Sequence, residues 1–390
     1  MPYPTRLHIY RTAIPMRGFE HAAARRELAE AVVVRMDFDN GRVGWGETLP
    51  RPYVTGETIE SVIADLAQII WPACRGSQTN NHIIPCFADP ARPDRCVNAA
   101  ICAYDLANLR RLLDADGHVS AAVLEEIWGL EKAERESLPR RDIPQRVTGV
   151  LGSADAGKTA WRLRLMRWYG LRHFKLKLGL GEETDRANLQ AVVRQIGPGL
   201  AGGKYTLRVD VNGGWPADQT PARAAELARL GVGVVEQPVY CEPAALVDLA
   251  RRCELPLMAD ESLRTEADAL VLLQEPRIWW NIRLSKNGGL VRSLGLARLA
   301  EQHGIPYVLG CMVGESGILS AAQRLALLWG MAPREVEGNY GRFLLRDDLV
   351  ISPPRFGYGG RLKPLRGPGL GVEVDVEKIE RYGQLVRMLV

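Results

Sequence analysis

Five ionisable residues stand at the ends of apolar, strand-like runs between residues 171 and 286. The runs FKLKLG, LRVDVN, GVVEQP, PLMADES and NIRLSK carry Lys177, Asp210, Glu236, Asp260 and Lys286. Three carboxylates in a set without His or Cys are the hard oxygen ligands that Mg2+ prefers. A lysine accepts a proton at neutral pH when a metal ion and a second ammonium group lower its pKa. These residue types predict metal-assisted removal of a proton next to a substrate carboxylate, whose developing negative charge the metal stabilises.

The spacing of these residues predicts the elements that must bring them together. Successive members of the series are 24 to 33 residues apart, close to the length of one strand, one helix and two loops. This repeat is typical of a (β/α) barrel, in which chemistry gathers at the carboxyl ends of the strands. Such a barrel would bring all three carboxylates and both lysines to one mouth.

The remaining sequence divides into three stretches. Residues 6–48 alternate apolar and polar side chains in RLHIYRTAI, AEAVVVRMDF and VGWGET, with the turn DNGR before the third run, and so predict an antiparallel meander. From Thr58 to about residue 132 the pattern is helical, apart from a proline-rich interruption at 85–93, and completes an α+β domain. From residue 146 apolar runs alternate with amphipathic helices, which gives eight strands but seven helices. A tail at about 345–390 is predicted to return to the first domain.

Composition excludes several classes of protein. The net charge of +4 comes from 50 basic and 46 acidic residues scattered along 390 residues, without the basic patch that nucleic-acid binding needs. No run of about 18 apolar residues is present, so no membrane partner is predicted. Seven cysteines without a framework spacing favour reduced thiols. Together with the lack of an apolar N-terminal run, they predict a cytoplasmic protein.

Five short motifs in order resemble a known family. The strings KLK at 175–177, DVN at 210–212, EQP at 236–238, DES at 260–262 and SKNGG at 285–289 are similar to those of the muconate-lactonizing subgroup of the enolase superfamily. The resemblance includes GWGETLPRPYVTGET in the first domain and GPGLGVEVD near the C-terminus. It implies an α/β fold, a modified TIM barrel (β/α)7β with an α+β N-terminal capping domain. The predicted domains are a cap at 1–140, completed by 345–390, and a catalytic barrel at 141–344.

The same resemblance implies roles for individual residues. Lys177 and Lys286 would be acid/base groups on opposite faces of the substrate, and Lys175 would tune Lys177. Asn212 and Glu261 would orient the neighbouring groups. The metal would be Mg2+, with Mn2+ as a substitute, held by Asp210, Glu236 and Asp260. A small-molecule carboxylate substrate, an enolate intermediate and a homo-oligomer are implied as well.

Each residue has a plainer reading when it is considered alone. A single acid after a strand is commonly a helix N-cap or a solvated loop residue. Lys175 and Lys286 could be surface lysines, and Asn212 before two glycines could serve a turn. The joint occurrence at barrel spacing favours the site.

The reaction itself stays open at the level of sequence. Two lysines suit racemisation or epimerisation, but also cycloisomerisation or dehydration, in which one lysine only steadies the intermediate. Glu335 and Glu337 in REVEG occupy the place where dipeptide epimerases of this subgroup carry Asp-x-Asp, so we predict that they bind a substrate ammonium group. Alternatively, one of them pairs with Arg342 at the surface. Glu315 in GCMVGESG falls one residue later than the usual spacing of the subgroup.

Two segments of the first domain are predicted to be loops that close over the substrate. One is PMRGFEH, with Arg17 and Phe19, and the other is RPYVTGE, with Arg51 and Tyr53. Arginine and aromatic side chains there could contact a substrate side chain, and loops of this kind exclude water from a site.

One motif points to a different class of protein. Gly152–Thr159 reads GSADAGKT, a full match to the phosphate loop G-x4-G-K-[ST] between a strand-like run and a helix. The rival interpretation is a P-loop NTPase, and loss of ATP binding in Lys158→Ala would support it. A noncatalytic barrel is a third class. We favour the barrel enzyme because the later strands carry a complete competing site.

Overall fold

The structure is a computed structural model that describes residues 2–21, 24–74, 96–112, 142–152, 154–365, 367 and 369–390, with the side chains of 18–26 excepted. Its N-terminal part is a four-stranded antiparallel sheet in the order β12-β1-β2-β3. These strands are β1 (Pro4–His21), β2 (Ala24–Phe38), β3 (Val43–Thr48) and β12 (Gly383–Leu389). The meander is therefore confirmed, and the tail of the chain supplies its edge strand.

The predicted loop PMRGFEH is wrong, because β1 runs through all of it. The strands β1 and β2 pair from Pro4↔Phe38 to His21↔Ala24, with a register irregularity between Pro15 and Phe19. Apolar residues continue the alternation up to Met16, which is buried. The segment is the far end of a long hairpin.

Helices cover one face of this sheet. They are α1 (Ile59–Asp65), a π-helical turn (Leu66–Ile70), α2 (Trp71–Cys74) and α3 (Asn98–Leu112). The first of them begins at a capping box in which Thr58 and Ser61 bond each other's backbone. Leu7, Ile9, Val32 and Val34 of the sheet are fully buried against this helical layer. The predicted helices after residue 112 and the proline-rich interruption lie outside the described residues.

Eight parallel strands form the second sheet, in the order β11-β10-β9-β8-β7-β6-β5-β4. They are β4 (Gly149–Leu151), β5 (His173–Lys177), β6 (Thr206–Asp210), β7 (Val234–Glu236), β8 (Leu257–Ala259), β9 (Trp279–Ile282), β10 (Tyr307–Leu309) and β11 (Glu335–Val336). The outermost pair meet at the bridge Val147↔Val336, where the Thr148 amide donates to the Val336 carbonyl oxygen at 2.8 Å. The sheet therefore curls into a barrel.

A helix of seven to 20 residues follows each of the first seven barrel strands. These helices are α4 (Ala156–Trp168), α5 (Glu182–Ala201), α6 (Thr220–Arg229), α7 (Pro243–Arg251), α8 (Glu266–Leu272), α9 (Gly289–Gln302) and α10 (Gly317–Leu328). Only the four-residue α11 (Gly341–Leu344) follows β11, and α12 (Val376–Tyr382) precedes β12. The predicted (β/α)7β barrel with an α+β cap is confirmed. The domain boundaries proposed above stay a prediction.

Buried carboxylates of the cap bind the amino ends of barrel helices. Glu47 accepts hydrogen bonds from the backbone of Ser316 and Leu319 at the start of α10. Asp105 of α3 accepts one from the Leu290 amide at 2.6 Å, at the start of α9. Since helix amino ends carry unpaired N–H groups and partial positive charge, these contacts hold the cap on the carboxyl end of the barrel.

None of the described helices combines the length and the apolar character that crossing a membrane requires.

Candidate active site

Register places three of the predicted residues in one layer of the barrel. Lys177 pairs with Asp210 across β5 and β6, and Asp210 pairs with Glu236 across β6 and β7. All three are buried, and each is the last residue of its strand. Because side chains alternate along a strand, Lys175 and Arg208 share the inward face one layer below.

Asp260 and Lys286 continue the row around the barrel. Asp260 directly follows β8, whereas Lys286 lies four residues beyond the end of β9, not at the strand end that the sequence predicted. The Lys286 ammonium group is fully buried and donates to Asp260 Oδ1 at 3.0 Å, to the Asp260 carbonyl oxygen at 2.6 Å and to the Asn281 carbonyl oxygen at 2.7 Å. Burial is the main cause that lowers the pKa of this lysine.

The two lysines belong to opposite sides of the barrel. β5 and β9 are four strands apart in the eight-stranded sheet, and β6, β7 and β8 lie between them on one side. The carboxylates at the ends of those three strands therefore stand between Lys177 and Lys286. This is the arrangement that access to both faces of one carbon atom requires.

Lys177 is held by two oxygen atoms from the strand beside it. Its Nζ lies 2.9 Å from Asp210 Oδ2 and 2.9 Å from Asn212 Oδ1. Asn212 has a left-handed backbone with φ of 47°, and its amide donates to Asp210 Oδ1 at 3.1 Å. Asn212 thus lies in a turn and also bonds the ammonium group, and its functional role stays a prediction.

Lys175 links three carboxylates in the layer below. Its Nζ is 2.8 Å from Glu337 Oε2, 3.3 Å from Asp210 Oδ2 and 3.3 Å from Glu236 Oε2. Burial by itself would lower the pKa of this lysine, but the negative charges of Glu236, Glu337 and Asp210 outweigh burial and raise it well above its ordinary value. Lys175 is therefore a permanent positive charge beside Lys177, not a second base.

The acids differ in how readily they ionise. Burial favours the neutral form of Asp210, but Lys177 and Lys175 outweigh it and lower the pKa of this carboxyl group below its ordinary value. Burial, with the charge of Asp210, raises the pKa of Glu236 to about 7. Burial and the adjacent Asp260 raise the pKa of Glu261 to about 8. Glu261 is buried, and neither of its carboxyl oxygens has a hydrogen-bond partner.

The chemistry of these side chains fits a hard divalent cation. Asp210, Glu236 and Asp260 offer oxygen donors on three adjacent strand ends, and Glu261 adds a buried carboxyl group without a partner. In the arrangement described, Lys175 and Arg283 bridge these acids. Accordingly, no group of three or more His, Cys, Asp or Glu side chains in the described part of the chain is arranged to hold a metal ion.

Glu335 and Glu337 do not form the ammonium-binding pair that the sequence predicted. Glu335 accepts hydrogen bonds from Thr206, the first residue of β6, at 2.9 Å, and from Arg208 at 2.9 Å. It therefore lies toward the amino ends of the strands, away from the mouth. Glu337 accepts from Lys175 and from Arg208, each at 2.8 Å. Both carboxylates are neutralised inside the barrel, and Arg342 is not their partner.

Arg208 is a central residue that the sequence reading missed. Its guanidinium is buried and donates to Glu335 at 2.9 Å, to Glu337 at 2.8 Å and to Glu236 at 3.1 Å. The signal was its position two residues before Asp210, because strand alternation turns both side chains into the barrel. Arg283, which directly follows β9 and pairs with Glu236 and Asp260, was missed as well.

Three other predicted residues serve the scaffold. Glu315 is buried and accepts a hydrogen bond from the Met312 amide at 2.6 Å, and burial raises its pKa to about 8. Arg51 is buried and donates to the backbone carbonyls of Pro50 and Glu30. Tyr53 is partly buried against the barrel core.

The predicted hairpin residues have different outcomes. Arg17 lines the cavity described below and donates to the Leu345 carbonyl oxygen at 3.2 Å. The Phe19 side chain lies outside the described residues.

The phosphate-loop interpretation is wrong. Asp155 caps α4 and accepts hydrogen bonds from the Gly157 amide at 2.7 Å and the Lys158 amide at 3.2 Å. A P-loop needs those backbone amides free for a phosphate, and here a carboxylate already occupies them. The segment is the N-capped first barrel helix.

Gly152 of this segment touches the site in another way. A Cβ atom added there would lie 3.1 Å from Lys177 Cβ, inside the ordinary carbon–carbon contact distance of about 3.5 Å. We therefore expect Gly152→Ala to push the lysine stem aside and to lower kcat by about tenfold, with the fold retained. Steady-state kinetics with circular dichroism would measure this. Gly295→Ala is the matched control, since nothing lies within 4 Å of its added Cβ. Unchanged kcat in Gly152→Ala would contradict the expectation.

One cavity of about 480 Å3 opens onto Lys177, Lys175 and Arg283. Its wall continues over α4 and over the segment around α11. Lys286 does not line it, because Asp260 and Asn281 hold that ammonium group in the protein interior. A volume of this size suits a small organic ligand.

The chain has an α+β cap over a (β/α)7β barrel, and lysines lie on either side of a row of buried carboxylates. This fold and this site define a barrel enzyme of the acid–base class. The family model described as enolase C-terminal domain-like matches residues 159–379, and the chain belongs to this family.

Relatives with printed activities extend this assignment. The N-succinyl-L-Arg/Lys racemase of Bacillus cereus is 28% identical over 82% of each chain. Its crystal structure has a TM-score of 0.81 at 25% identity and covers 99% of both chains. The L-Ala-D/L-Glu epimerase of Bacillus subtilis is 27% identical over 94% of this chain and 96% of the relative. Muconate cycloisomerase 1-1 of Acinetobacter lwoffii is 31% identical over 70% of this chain and 68% of the relative.

These findings confirm the resemblance to the enolase superfamily and the prediction of an isomerase. Members of this superfamily generally depend on a divalent metal. The homo-oligomer and the cytoplasmic location stay predictions.

Proposed function

We propose that this chain removes the proton α to a carboxylate and returns a proton to the opposite face, and so racemises or epimerises an amino-acid derivative. The observation that carries the proposal is the placement of Lys177 and Lys286 on opposite sides of the barrel, with three carboxylates between them. Relatives named as racemases and epimerases of N-succinyl amino acids and dipeptides support it.

The lysines exchange the proton with the substrate. Lys177, in its neutral form, takes the α-proton onto Nζ, and the electron pair of the C–H bond moves into the carboxylate to give an enolate. Lys286 bonds three acceptors, as an ammonium group does, and supplies a proton to the other face. Burial lowers the pKa of Lys286 and eases this release. The substrate thus loses one proton to Lys177 and gains one from Lys286. The enantiomeric substrate follows the reverse route, which returns both lysines to their starting forms, and exchange of protons with solvent does the same.

Other residues prepare the site for this exchange. Asp210, Glu236 and Asp260 would hold Mg2+, or Mn2+ in its place. When bound, the ion supplies positive charge where the substrate carboxylate becomes more negative. Lys175 keeps a permanent charge near Lys177, and Asn212 fixes the direction of its Nζ.

A second candidate reaction is the cycloisomerisation of a dicarboxylate. It is favoured by the 31% identity to muconate cycloisomerase 1-1. In this reaction one lysine transfers a proton and the other only steadies the intermediate, so the carbon skeleton changes.

Solvent deuterium distinguishes the two reactions. The protein would be incubated with Mg2+ in D2O, together with N-acyl amino acids, dipeptides and cis,cis-muconate. Mass spectrometry would then measure the deuterium content of the products. Deuterium at the α-carbon of an unchanged skeleton, lost on addition of EDTA and restored by Mg2+, is the expected result. Conversion of muconate to a lactone, without exchange in any amino-acid derivative, would replace the proposal by the second candidate.

A further inference from the structure

The two lysines of the site are carried by backbone segments of different kinds. Lys177 is the last residue of β5, and β4 and β6 pair with that strand on its two sides. Lys286 lies in the turn between β9 and α9, together with Gly288 and Gly289, which have left-handed φ angles of 83° and 90°. Sheet hydrogen bonds hold a strand along its length, whereas a turn depends on contacts from elsewhere. We call residues 285–291, which comprise this turn and the first residues of α9, the lysine turn.

Two polar residues of the cap bond the lysine turn at Lys286 and at the residue before it. Asn98, the first residue of α3, donates a hydrogen bond from Nδ2 to the Lys286 carbonyl oxygen at 3.0 Å. Thr48, the last residue of β3, has its hydroxyl oxygen 2.8 Å from the hydroxyl oxygen of Ser285. The Ser285 hydroxyl also accepts a hydrogen bond from the Leu49 amide at 2.9 Å. The cap therefore holds the backbone from which the lysine side chain extends.

The cap also holds the far end of the lysine turn. Asp105 of α3 accepts hydrogen bonds from the Leu290 amide at 2.6 Å and from the Val291 amide at 3.3 Å. A Cβ atom added at Gly289 would collide with the Asp105 carboxyl group, so the cap helix and the turn are in close contact. Because α3 carries both Asn98 and Asp105, one helix of the cap bonds both ends of the lysine turn.

Water has little access to these contacts. Thr48, Ser285 and Lys286 are fully buried, and Asn98 and Asp105 expose only 2% and 3% of their surface. When one partner of a buried hydrogen bond is removed, the other is left unsatisfied, because no water molecule takes the vacant place. Loss of a cap contact should therefore let the lysine turn shift to find other partners.

Lys177, in contrast, takes its position from the barrel. Its Nζ lies 2.9 Å from Asp210 Oδ2 and 2.9 Å from Asn212 Oδ1, and the amide of the next residue, Leu178, donates to the Asp210 carbonyl oxygen at 2.8 Å. The Lys286 ammonium group also bonds oxygen atoms of the barrel, but its backbone is bonded by the cap. The positions of the two lysines therefore depend on the cap to different degrees.

We propose that the cap positions Lys286 for proton transfer, with Asn98 and Thr48 as positioning residues that act on this lysine and not on Lys177. Asn98 acts through the Lys286 carbonyl group, and Thr48 acts through Ser285. The inference rests on the proposed function, because it gives the cap a part in one of its two proton transfers. The effect can be large, since a misplacement of about 1 Å at a reacting group costs about 10^2-fold in rate.

Exchange of the α-proton in D2O tests the two lysines separately. Proton NMR would follow the Mg2+-loaded protein with N-succinyl-L-phenylalanine and with its D-enantiomer, and Lys286→Ala would identify the enantiomer whose exchange needs Lys286. Asn98→Ala should slow the exchange of that enantiomer by about tenfold or more and leave the other enantiomer within about twofold of native protein. Thr48→Val, which keeps the shape of the side chain, should act several-fold in the same direction.

Thr12→Val is the matched control for these variants. Thr12 is a fully buried threonine of the cap, but its hydroxyl donates to the Ala31 carbonyl oxygen at 3.3 Å, within the cap sheet. This variant should exchange both enantiomers at nearly the native rate. If Asn98→Ala does not fold by circular dichroism, Thr48→Val decides the question. An equal loss for the two enantiomers would show a general effect on the fold and overturn the proposal, as would unchanged exchange of both.

Failure of the positioning can be told apart from failure of the proposed reaction. If native protein exchanges the α-proton of neither enantiomer, backbone amide exchange measured by mass spectrometry tests the cap contacts alone. Faster amide exchange in residues 285–291 of Asn98→Ala and Thr48→Val, with β5 unchanged, would uphold the positioning of the lysine turn and count against the reaction. Native amide exchange in residues 285–291 of both variants would overturn the positioning.

Discussion

Replacement of Lys177 by alanine is expected to lower the rate of racemisation by about 10^2- to 10^4-fold, the usual contribution of a positioned acid or base. The physical reason is that Lys177 lines the cavity and that two oxygen atoms, Asp210 Oδ2 and Asn212 Oδ1, direct its Nζ. Lys286→Ala is expected to have an effect of the same order, because a proton must reach the opposite face. Polarimetry on each enantiomer would measure both losses.

Deuterium exchange sharpens this expectation. A variant that lacks one lysine keeps the other, so each should still exchange the α-proton of one enantiomer while losing racemisation. Lys158→Ala is the control, because Lys158 is an exposed lysine at the start of α4 and should leave the rates unchanged. Circular dichroism would show that the variants are folded. Racemisation by Lys177→Ala at more than a tenth of the native rate would remove this lysine from the proposed mechanism.

Replacement of Arg208 by methionine is expected to lower the free energy of unfolding by about 3–5 kcal/mol, as removal of one partner from a buried ion pair does. Arg208 donates to Glu335, Glu337 and Glu236, and all four side chains are buried. Without the guanidinium, two of these glutamates retain Lys175 as a cation, and Glu335 retains only hydroxyl donors and the nearby His173. The midpoint of urea unfolding would measure the loss.

The pH dependence of the Arg208→Met variant follows from the same contacts. A buried glutamate that loses its cation has a folded-state pKa above the unfolded value, so its folded state favours the bound proton. Stability is then fully present below the unfolded pKa and is lost as pH rises through the folded pKa. The deficit relative to native protein should therefore shrink as pH is lowered from 8 toward 5.

Two further variants test the cause of this loss. Glu335→Gln in the Arg208→Met background removes one uncompensated charge and should restore part of the stability. Arg172→Met replaces an exposed arginine just before β5 and should change stability by less than about 0.5 kcal/mol. A deficit under about 1 kcal/mol in Arg208→Met, or one independent of pH, would be inconsistent with the charge network described.

Much of the barrel was readable from local patterns. The strand-like runs that end in Lys177, Asp210 and Glu236 are strands of three to five residues that end at those positions. The count of seven helices for eight strands was also readable, because helical periodicity stops after REVEG. One local reading failed. The loop expected around Arg17 proved to be strand, because pairing with β2 extends the hairpin beyond the alternating pattern. The phosphate-loop string, a rival interpretation that we did not favour, proved to be an N-capped helix.

The charges of the site show the limit of sequence more clearly. The sequence suggested that Glu335 and Glu337 bind an amine, because the cations that pair with them, Arg208 and Lys175, are more than 120 residues away in the chain. Lys286 could be read as the last residue of a strand, yet it lies four residues beyond β9, where Asp260 and Asn281 accept hydrogen bonds from its ammonium group.

The sequence by itself determined the fold class, the order of the strands and which side chains enter the barrel, because strand length and two-residue alternation are local properties of the chain. The tertiary structure alone decided which of the inward charges neutralise one another and which remain for a ligand. That choice depends on which atoms meet across the barrel interior, where a charge is stable only beside a partner. Arg208 and Lys175 thereby neutralise Glu335 and Glu337 inside the barrel.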